Sequence, residues 1–146
     1  MPRPDPDRLL PVVLAYLPVA GAGAVLSAAW NVGASPDGDA GDMVLRGTAL
    51  TPPLFLPIAL LTGAVAARRG GRTRRAGAGV VALVGVAFLA GSTANLPNDL
   101  AAAEAAGTPR ALTGVLAIIH LALAITLLFH AVPTLLGRRR SSDAAV

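Results

Sequence analysis

The chain has 146 residues, of which 54% are apolar and only 14% are charged. This balance leaves too little polar surface to cover a soluble globule, so we expect one domain that is surrounded mainly by lipid. The formal net charge of +4 does not indicate nucleic acid, because the Arg residues lie in short loops and tails beside apolar segments. We expect no nucleic-acid partner. The absence of Cys excludes disulfides, thiolate catalysis and Cys-ligated metals.

The first apolar segment covers residues 9–30 and follows a solvated tail of alternating Pro and charged residues. About 20 apolar residues suffice to cross the hydrocarbon core of a bilayer, so we predict a first membrane span here. A secretory signal peptide is the alternative, but the run exceeds the usual apolar core of about 7 to 15 residues. Ala20, Ala24 and Ala28 suit close helix packing, and Trp30 lies where an interfacial aromatic belongs.

The second apolar segment, residues 44–67, follows an acidic loop. The Asp residues between positions 37 and 42 suggest a calcium loop, but the closing Glu of an EF-hand is absent, which favours a solvated loop. Pro52, Pro53 and Pro57 interrupt the apolar segment, and each removes a helical hydrogen bond. We expect a kinked packing helix. The alternative is a broken helix that borders a cavity, as transporters use.

Residues 76–96 form the third apolar segment, after a basic hinge at residues 68–75. Its helix should stop at Leu96-Pro97, since a residue before proline disfavours the helical region. One face of its last two turns is more polar than any other part of the predicted spans. That face consists of Phe88, Gly91, Ser92 and Asn95. Residues 111–137 form the fourth span, at about 40 Å against a hydrocarbon core of about 30 Å, so it should tilt or project.

The basic residues determine the predicted orientation. With residues 1–8, the hinge and the chain after residue 137 in the cytoplasm, only Arg46 and Arg110 lie outside. By the positive-inside rule we predict an all-α bundle of four transmembrane helices, one domain over residues 1–146, with both termini cytoplasmic. The Ala-rich composition with Arg and no Lys is typical of a GC-rich genome. We therefore expect a multi-pass protein of a bacterial inner (plasma) membrane.

His120 is the strongest candidate for chemistry, because an ionisable group inside the membrane is by default a functional-site hypothesis. It lies about 12 Å along the fourth span, on a face shared with Thr113. A structural alternative is a neutral His that bonds a neighbouring Thr or a carbonyl freed in the second segment. His130 lies about 15 Å further along, too far to share a metal with His120. We expect no metal and no cofactor, and an interfacial role for His130.

Residues 93–98 (TANLPN) follow the third span, and Arg75 precedes it. This arrangement resembles the small four-helix membrane proteins that include the anthrone oxygenases, whose signature is an Asn-x-Pro-x-Asn motif after the third helix. Asn95, Pro97 and Asn98 match it with the last spacing shortened by one, and Asp99 stands where the second Asn is expected. The Trp-rich positions usual before the family's fourth helix are absent.

The resemblance implies a cofactor-free oxidation of a lipophilic phenolic or polycyclic compound such as an anthrone. His120 would be the catalytic base, and the amides of Asn95 and Asn98 would stabilise the enolate before it reacts with O2. A non-catalytic interaction or accessory subunit of a membrane complex is the alternative, and a small solute carrier is the third choice. Besides the lipid bilayer, the expected partners are a lipophilic small molecule and a second copy of the chain.

Overall fold

The computed structural model describes residues 5–136, and within them the chain is helical with no strand. The predicted all-α class is therefore confirmed. The helices are α1 Leu9–Trp30, α2 Phe55–Ala67, α3 Gly71–Ala94, α4 Leu96–Ala105 and α5 Arg110–Leu135. Short 3-10 turns at Pro6–Arg8 and Ala40–Val44 precede α1 and α2. The predicted basic tail groups at Arg3 and at residues 138–140, and the last residue of the fourth span, lie outside the described residues.

Three helices, α1 with its preceding turn, α3 and α5, are long and apolar enough to cross a membrane. Large apolar side chains such as Leu83 and Ile118 are about 70% exposed on their outer faces, as expected where lipid replaces water. These features indicate a membrane protein. The fourth apolar helix, α2, has 13 residues and is about 20 Å long, which is shorter than the hydrocarbon core of about 30 Å.

The second apolar segment differs from its prediction as a span over residues 44–67. Its helix begins only at Phe55, and residues 45–54 form non-helical turns. Pro52 and Pro53 explain the difference, because they lack backbone N–H groups and disfavour the helical region for the residues before them. The broken-helix alternative therefore describes this segment. At the end of the third segment, α3 stops at Ala94 and α4 starts at Leu96, with a proline in its first turn.

The α2 and α3 helices form a hairpin that depends on two glycines. A Cβ on Gly77 would overlap the backbone nitrogen of Ala67 and lie 2.5 Å from the carbonyl oxygen of Gly63. A Cβ on Gly63 would in turn lie 3.1 Å from the carbonyl oxygen of Gly77. The two backbones are therefore in contact, as small residues allow in membrane helix pairs.

The core of the bundle lies between α1, α2, α3 and α5. The main buried cluster includes Leu9 and Val13 of α1, Leu60 of α2, Val81 of α3 and Leu127 of α5. A smaller cluster joins α4 and α5 to the loop before α2. In this way the loop becomes part of the packed structure, and this placement creates the site described below.

Because the backbones touch at Gly77, we expect even the methyl group of alanine at this position to lower the stability of the protein. Ala is favoured over Gly in a helix by about 1 kcal/mol, but the overlap with the α2 backbone should cost about 1 to 3 kcal/mol. Gly77→Ala should therefore lower the free energy of unfolding in an SDS titration of detergent-solubilised protein, followed by circular dichroism.

Gly79→Ala is the matched control on the same helix. Its Cβ would meet only a side-chain carbon of Leu135 at 3.6 Å, which is an ordinary contact. This variant should be as stable as the parent or slightly more stable. Equal stability of the two variants would contradict the described backbone contact.

Candidate functional site

A cavity of about 110 Å³ lies where the end of α3, the start of α4, the first half of α5 and the loop before α2 meet. It is partly open to the outside. Its polar lining consists of Thr48, Thr51, Ser92, Asn95, Asp99, Thr113 and His120. Its apolar lining consists of Ala49, Pro52, Ala87, Phe88, Gly91 and Ala117. The cavity therefore lies toward the end of α3 that is opposite to the basic hinge.

The loop before α2 forms one wall because side-chain hydroxyls hold it against α1. The Thr48 hydroxyl accepts hydrogen bonds from the backbone N–H groups of Leu50 and Thr51, each at 3.2 Å. The same hydroxyl lies 2.6 Å from the hydroxyl of Ser27. The Thr51 hydroxyl donates to the carbonyl oxygen of Ala20 at 3.3 Å. These bonds satisfy groups that a non-helical backbone cannot leave unpaired in lipid.

Small residues on α1 let this loop come close. A Cβ on Gly23 would overlap the carbonyl oxygen of Leu50, so only glycine allows the loop backbone to touch the helix. Ala20, Gly23 and Ser27 are all buried on this face of α1. Of the small residues expected to pack, Ala20 does so and Ala28 is exposed. The small-residue face of α1 thus receives a segment of the same chain.

Three rings meet beside the cavity. The ring centroids of Tyr16 and His120 lie 5.7 Å apart, those of Phe88 and His120 lie 5.7 Å apart, and those of Tyr16 and Phe88 lie 5.8 Å apart. These separations are typical of edge-to-face aromatic pairs. The predicted site did not include Tyr16. The sequence feature that could have indicated it is the position of Tyr16 within an apolar span, because tyrosine usually lies at the membrane interface.

Two lining residues have buried polar atoms without a hydrogen-bond partner among residues 5–136. They are Nε2 of His120 and Oγ1 of Thr113, and Thr113 is only 1% exposed. The hydroxyl of Tyr16 is likewise buried and without a partner there. An unsatisfied buried group costs about 1 to 3 kcal/mol, so such groups call for a functional explanation. The structural alternative for His120, a bond to a neighbouring Thr or a freed carbonyl, is not formed by Nε2.

The predicted amide residues separate in the structure. Asn95 lines the cavity together with His120, whereas Asn98 is exposed and does not line it. Asp99 lines the cavity in place of Asn98. The backbone N–H of Asp99 donates to the carbonyl of Asn95 at 2.9 Å, so these two residues lie one helical turn apart on the same face. Asn98 precedes Asp99 directly and is therefore rotated by about 100° from it on the helix.

The second histidine belongs to another part of the bundle. His130 is 6% exposed, and its Nδ1 accepts a hydrogen bond of 2.9 Å from the backbone N–H of Asp5. Its ring also packs edge-on against Phe129, with centroids 5.1 Å apart. His130 thus ties the turn before α1 to the end of α5 and does not line the cavity.

Among residues 5–136, no group of three or more His, Asp or Glu side chains is placed to hold a metal ion. No family model matches the chain, and neither a curated protein nor a solved structure shows significant similarity to it. The resemblance to the anthrone oxygenases therefore stays a prediction, and the functional argument rests on the geometry of the cavity.

The unpartnered hydroxyl of Thr113 predicts that the isosteric change Thr113→Val stabilises the protein. Removing a buried group that has no partner should raise the free energy of unfolding by about 1 to 3 kcal/mol. The measurement is an SDS titration of purified protein in detergent, without added ligand.

Thr126→Val on the same helix is the control, because its hydroxyl already donates to the carbonyl of Ala122 at 2.8 Å. It should leave the stability unchanged or lower it by up to about 1.5 kcal/mol. A loss of stability in Thr113→Val that equals or exceeds that of Thr126→Val would show that the Thr113 hydroxyl has a structural partner.

Burial raises the pKa of Asp99 from its ordinary value of 3.8 to about 6. Between these two values the folded protein binds more protons than the unfolded chain, so stability should fall as the pH rises from about 4 to about 6. Asp99→Asn removes this titration. We expect it to flatten the dependence of the thermal unfolding midpoint on pH in this interval, and to raise the midpoint at pH 7.5.

Asp37→Asn in the exposed acidic loop is the control for general charge effects. It should keep the pH dependence of the parent protein. An unchanged pH profile in Asp99→Asn would contradict the burial of this carboxyl group.

Proposed function

We propose that the chain is a membrane enzyme that removes a proton from a lipophilic phenolic compound in this cavity, with His120 as the base. The observation that carries the proposal is that His120 lines a partly open cavity together with Asn95, and that its buried Nε2 has no hydrogen-bond partner among the described residues. A general base must be free to accept a proton from a molecule within hydrogen-bond reach. Nε2 meets this condition because no described residue occupies it.

The other lining groups suit the stabilisation of an anion. The amide of Asn95 and the hydroxyl of Thr113 are neutral hydrogen-bond donors. Donors that are already in place in a site of low polarity stabilise developing negative charge far better than they do in water. Asn95 and Thr113 are therefore the proposed anion-binding residues, and Asn98 is not part of this set.

The resemblance to the anthrone oxygenases supplies the second half of the proposed reaction. An anion formed by loss of a C–H proton would react with O2 without a cofactor. For a ring CH2 group the balance is one O2 consumed, one C=O formed and one water released. His120 takes the first proton and returns it when water leaves. An accessory subunit would need neither a free base nor an anion-binding group.

We further propose four membrane crossings, with the loop of residues 45–54 and α2 together forming the second. Thr48 contacts Ser27 near the end of α1, and Thr51 contacts Ala20 near its middle. The loop and α2 then run toward the hinge that begins α3. The loop thereby adds the length that α2 lacks for crossing the hydrocarbon core. Its backbone is buried in protein, where non-helical structure is tolerated.

The charges support an orientation with the hinge in the cytoplasm. Arg46 pairs with Asp42 at 3.4 Å, and Arg110 pairs with Glu104, so both Arg residues assigned to the outside have an acidic partner. No Arg of the hinge pairs with an acidic residue among the described residues. The positive-inside rule counts Arg and Lys residues rather than net charge, and the hinge has five Arg residues, whereas the two loops assigned to the outside have one each.

The enzyme proposal predicts different effects for two neighbouring amides. His120→Gln and Asn95→Ala should fail to complement a deletion of the gene in the native host, because loss of a general base costs about 10²- to 10⁴-fold in rate. Asn98→Ala and His130→Ala should complement if they accumulate normally. The measurements are the phenotype and, separately, the abundance of each variant in the membrane fraction.

If His120→Gln and Asn95→Ala accumulate normally and complement fully, the chain is not an enzyme that uses this cavity. If either variant fails to accumulate, its side chain supports the fold, and the accessory-subunit alternative gains weight. The metabolites that change upon deletion of the gene would then identify the affected compound.

The orientation is testable by cysteine labelling, since the chain has no Cys. Asp37 and Gly70 are exposed, and a Cβ on Gly70 would meet no atom within 4 Å. Asp37→Cys should react with a membrane-impermeant maleimide on intact cells. Gly70→Cys should react only after the membrane is permeabilised. The reverse pattern would contradict the proposed orientation, and labelling of both sites on intact cells would contradict the number of crossings.

A further inference from the structure

We propose that the cavity takes the ring of a hydroquinone that carries an apolar chain, and that this ring enters sideways from the lipid through a window beside Gly91. The inference rests on the first step of the proposed function, since the O–H proton of a phenolic compound would pass to His120. A hydroquinone has no ring CH2 group, so the inference does not extend to the oxidation at carbon. It differs from the resemblance to the anthrone oxygenases, which implies a compound with several fused rings.

The window is formed by one row of residues on α3. Ala87, Gly91 and Asn95 follow one another at intervals of one helical turn, and all three line the cavity. Ala87 and Asn95 are exposed, and a Cβ on Gly91 would meet no atom within 4 Å. This row therefore forms an open edge, and the loop that carries Thr48 and Pro52 lines the cavity with it.

The position of this edge along α3 indicates that it faces lipid. Ala87 lies about 10 Å before the end of the helix, and Asn95 lies just beyond that end. An opening that extends so far along a membrane-spanning helix reaches into the hydrocarbon region. A ligand can therefore enter with its polar ring while its apolar chain stays in the bilayer, and the chain loses no contact with lipid on binding.

The volume limits the part that is enclosed to about one ring. An apolar cavity of roughly 150 Å³ holds a benzene molecule, and this cavity measures about 110 Å³ with one side open. Three fused rings would need a displacement of the loop that carries Thr48 and Thr51, which is fixed to α1 by hydrogen bonds. A single ring with its substituent in the window fits without that displacement.

Two polar lining residues on α5, Thr113 and His120, favour two oxygen atoms on the ring. Thr113 and His120 lie on the same face of α5, about 10 Å apart along the helix. Two para oxygens of a six-membered ring, with a hydrogen bond of about 2.8 Å at each end, span a distance of this order. In the bound state one hydroxyl of the hydroquinone would donate to Nε2 of His120 and the other would accept from the hydroxyl of Thr113, and the ring between them would contact Phe88.

The test is direct binding of tritiated 2-nonylhydroquinone to the protein in lipid nanodiscs under argon, with empty nanodiscs as the blank. Gly91→Leu places a side chain in the window and should weaken binding at least about tenfold. Gly114→Leu on α5 is the matched control, because its Cβ also meets no atom within 4 Å and it does not line the cavity. It should bind like the parent protein.

The second arm uses ligands that lack one feature. 3-Nonylphenol, which has lost one hydroxyl, should bind about tenfold more weakly than 2-nonylhydroquinone. Thr113→Val should abolish that difference by weakening only the hydroquinone. Hydroquinone without a chain should bind far more weakly than its nonyl derivative. 1,8-Dihydroxyanthrone, with three fused rings, should not compete with 2-nonylhydroquinone.

Several outcomes would overturn the inference. Unchanged binding in Gly91→Leu would exclude the window, and equally tight binding of dihydroxyanthrone would exclude the single-ring limit. A Thr113→Val variant that binds both nonyl ligands like the parent would exclude the two-oxygen arrangement. Absence of saturable binding would exclude the ligand class. The proposed function is tested separately, by complementation with the His120 and Asn95 variants, and none of these binding results affects that test.

Discussion

The need to satisfy a non-helical backbone inside an apolar environment governs this structure. Pro52 and Pro53 prevent a continuous second helix, and the turns before α2 must find hydrogen-bond partners that lipid does not offer. The chain supplies them with the hydroxyls of Thr48 and Thr51 and with the backbone of α1. Gly23 allows the approach. The loop is thereby held away from α3, and the space between them is the cavity.

The cavity combines two kinds of polar group, and hydrogen bonding distinguishes them. Thr48 and Thr51 line it, but their hydroxyls already form hydrogen bonds within the loop and with α1. Thr113 and His120 line it with atoms that no described residue satisfies. The first pair builds the wall, and each residue of the second pair keeps a buried polar atom without a partner among the described residues. A protein that has to keep unsatisfied groups in its interior gives up stability there, which is commonly the case at functional sites.

The sequence predicts the helical class and the three long helices, because each depends on periodicity and on hydropathy within one segment. The sequence does not predict the features that depend on contacts between segments. The placement of the loop before α2 depends on the partners that residues 48–51 find on α1. The exchange of Asn98 for Asp99 depends on the register of a helix that restarts after Asn95. Tyr16 becomes part of the site only through the packing of α1 against two other helices.

The contact of Gly63 with Gly77 has a consequence for how the chain enters the membrane. A helix of 13 residues is too short to be held as an independent span by hydropathy alone. In the proposed topology of four crossings, the short connection at residues 68–70 and the touching backbones would let α2 and α3 enter together as a hairpin, with the Arg residues of the hinge remaining at the surface.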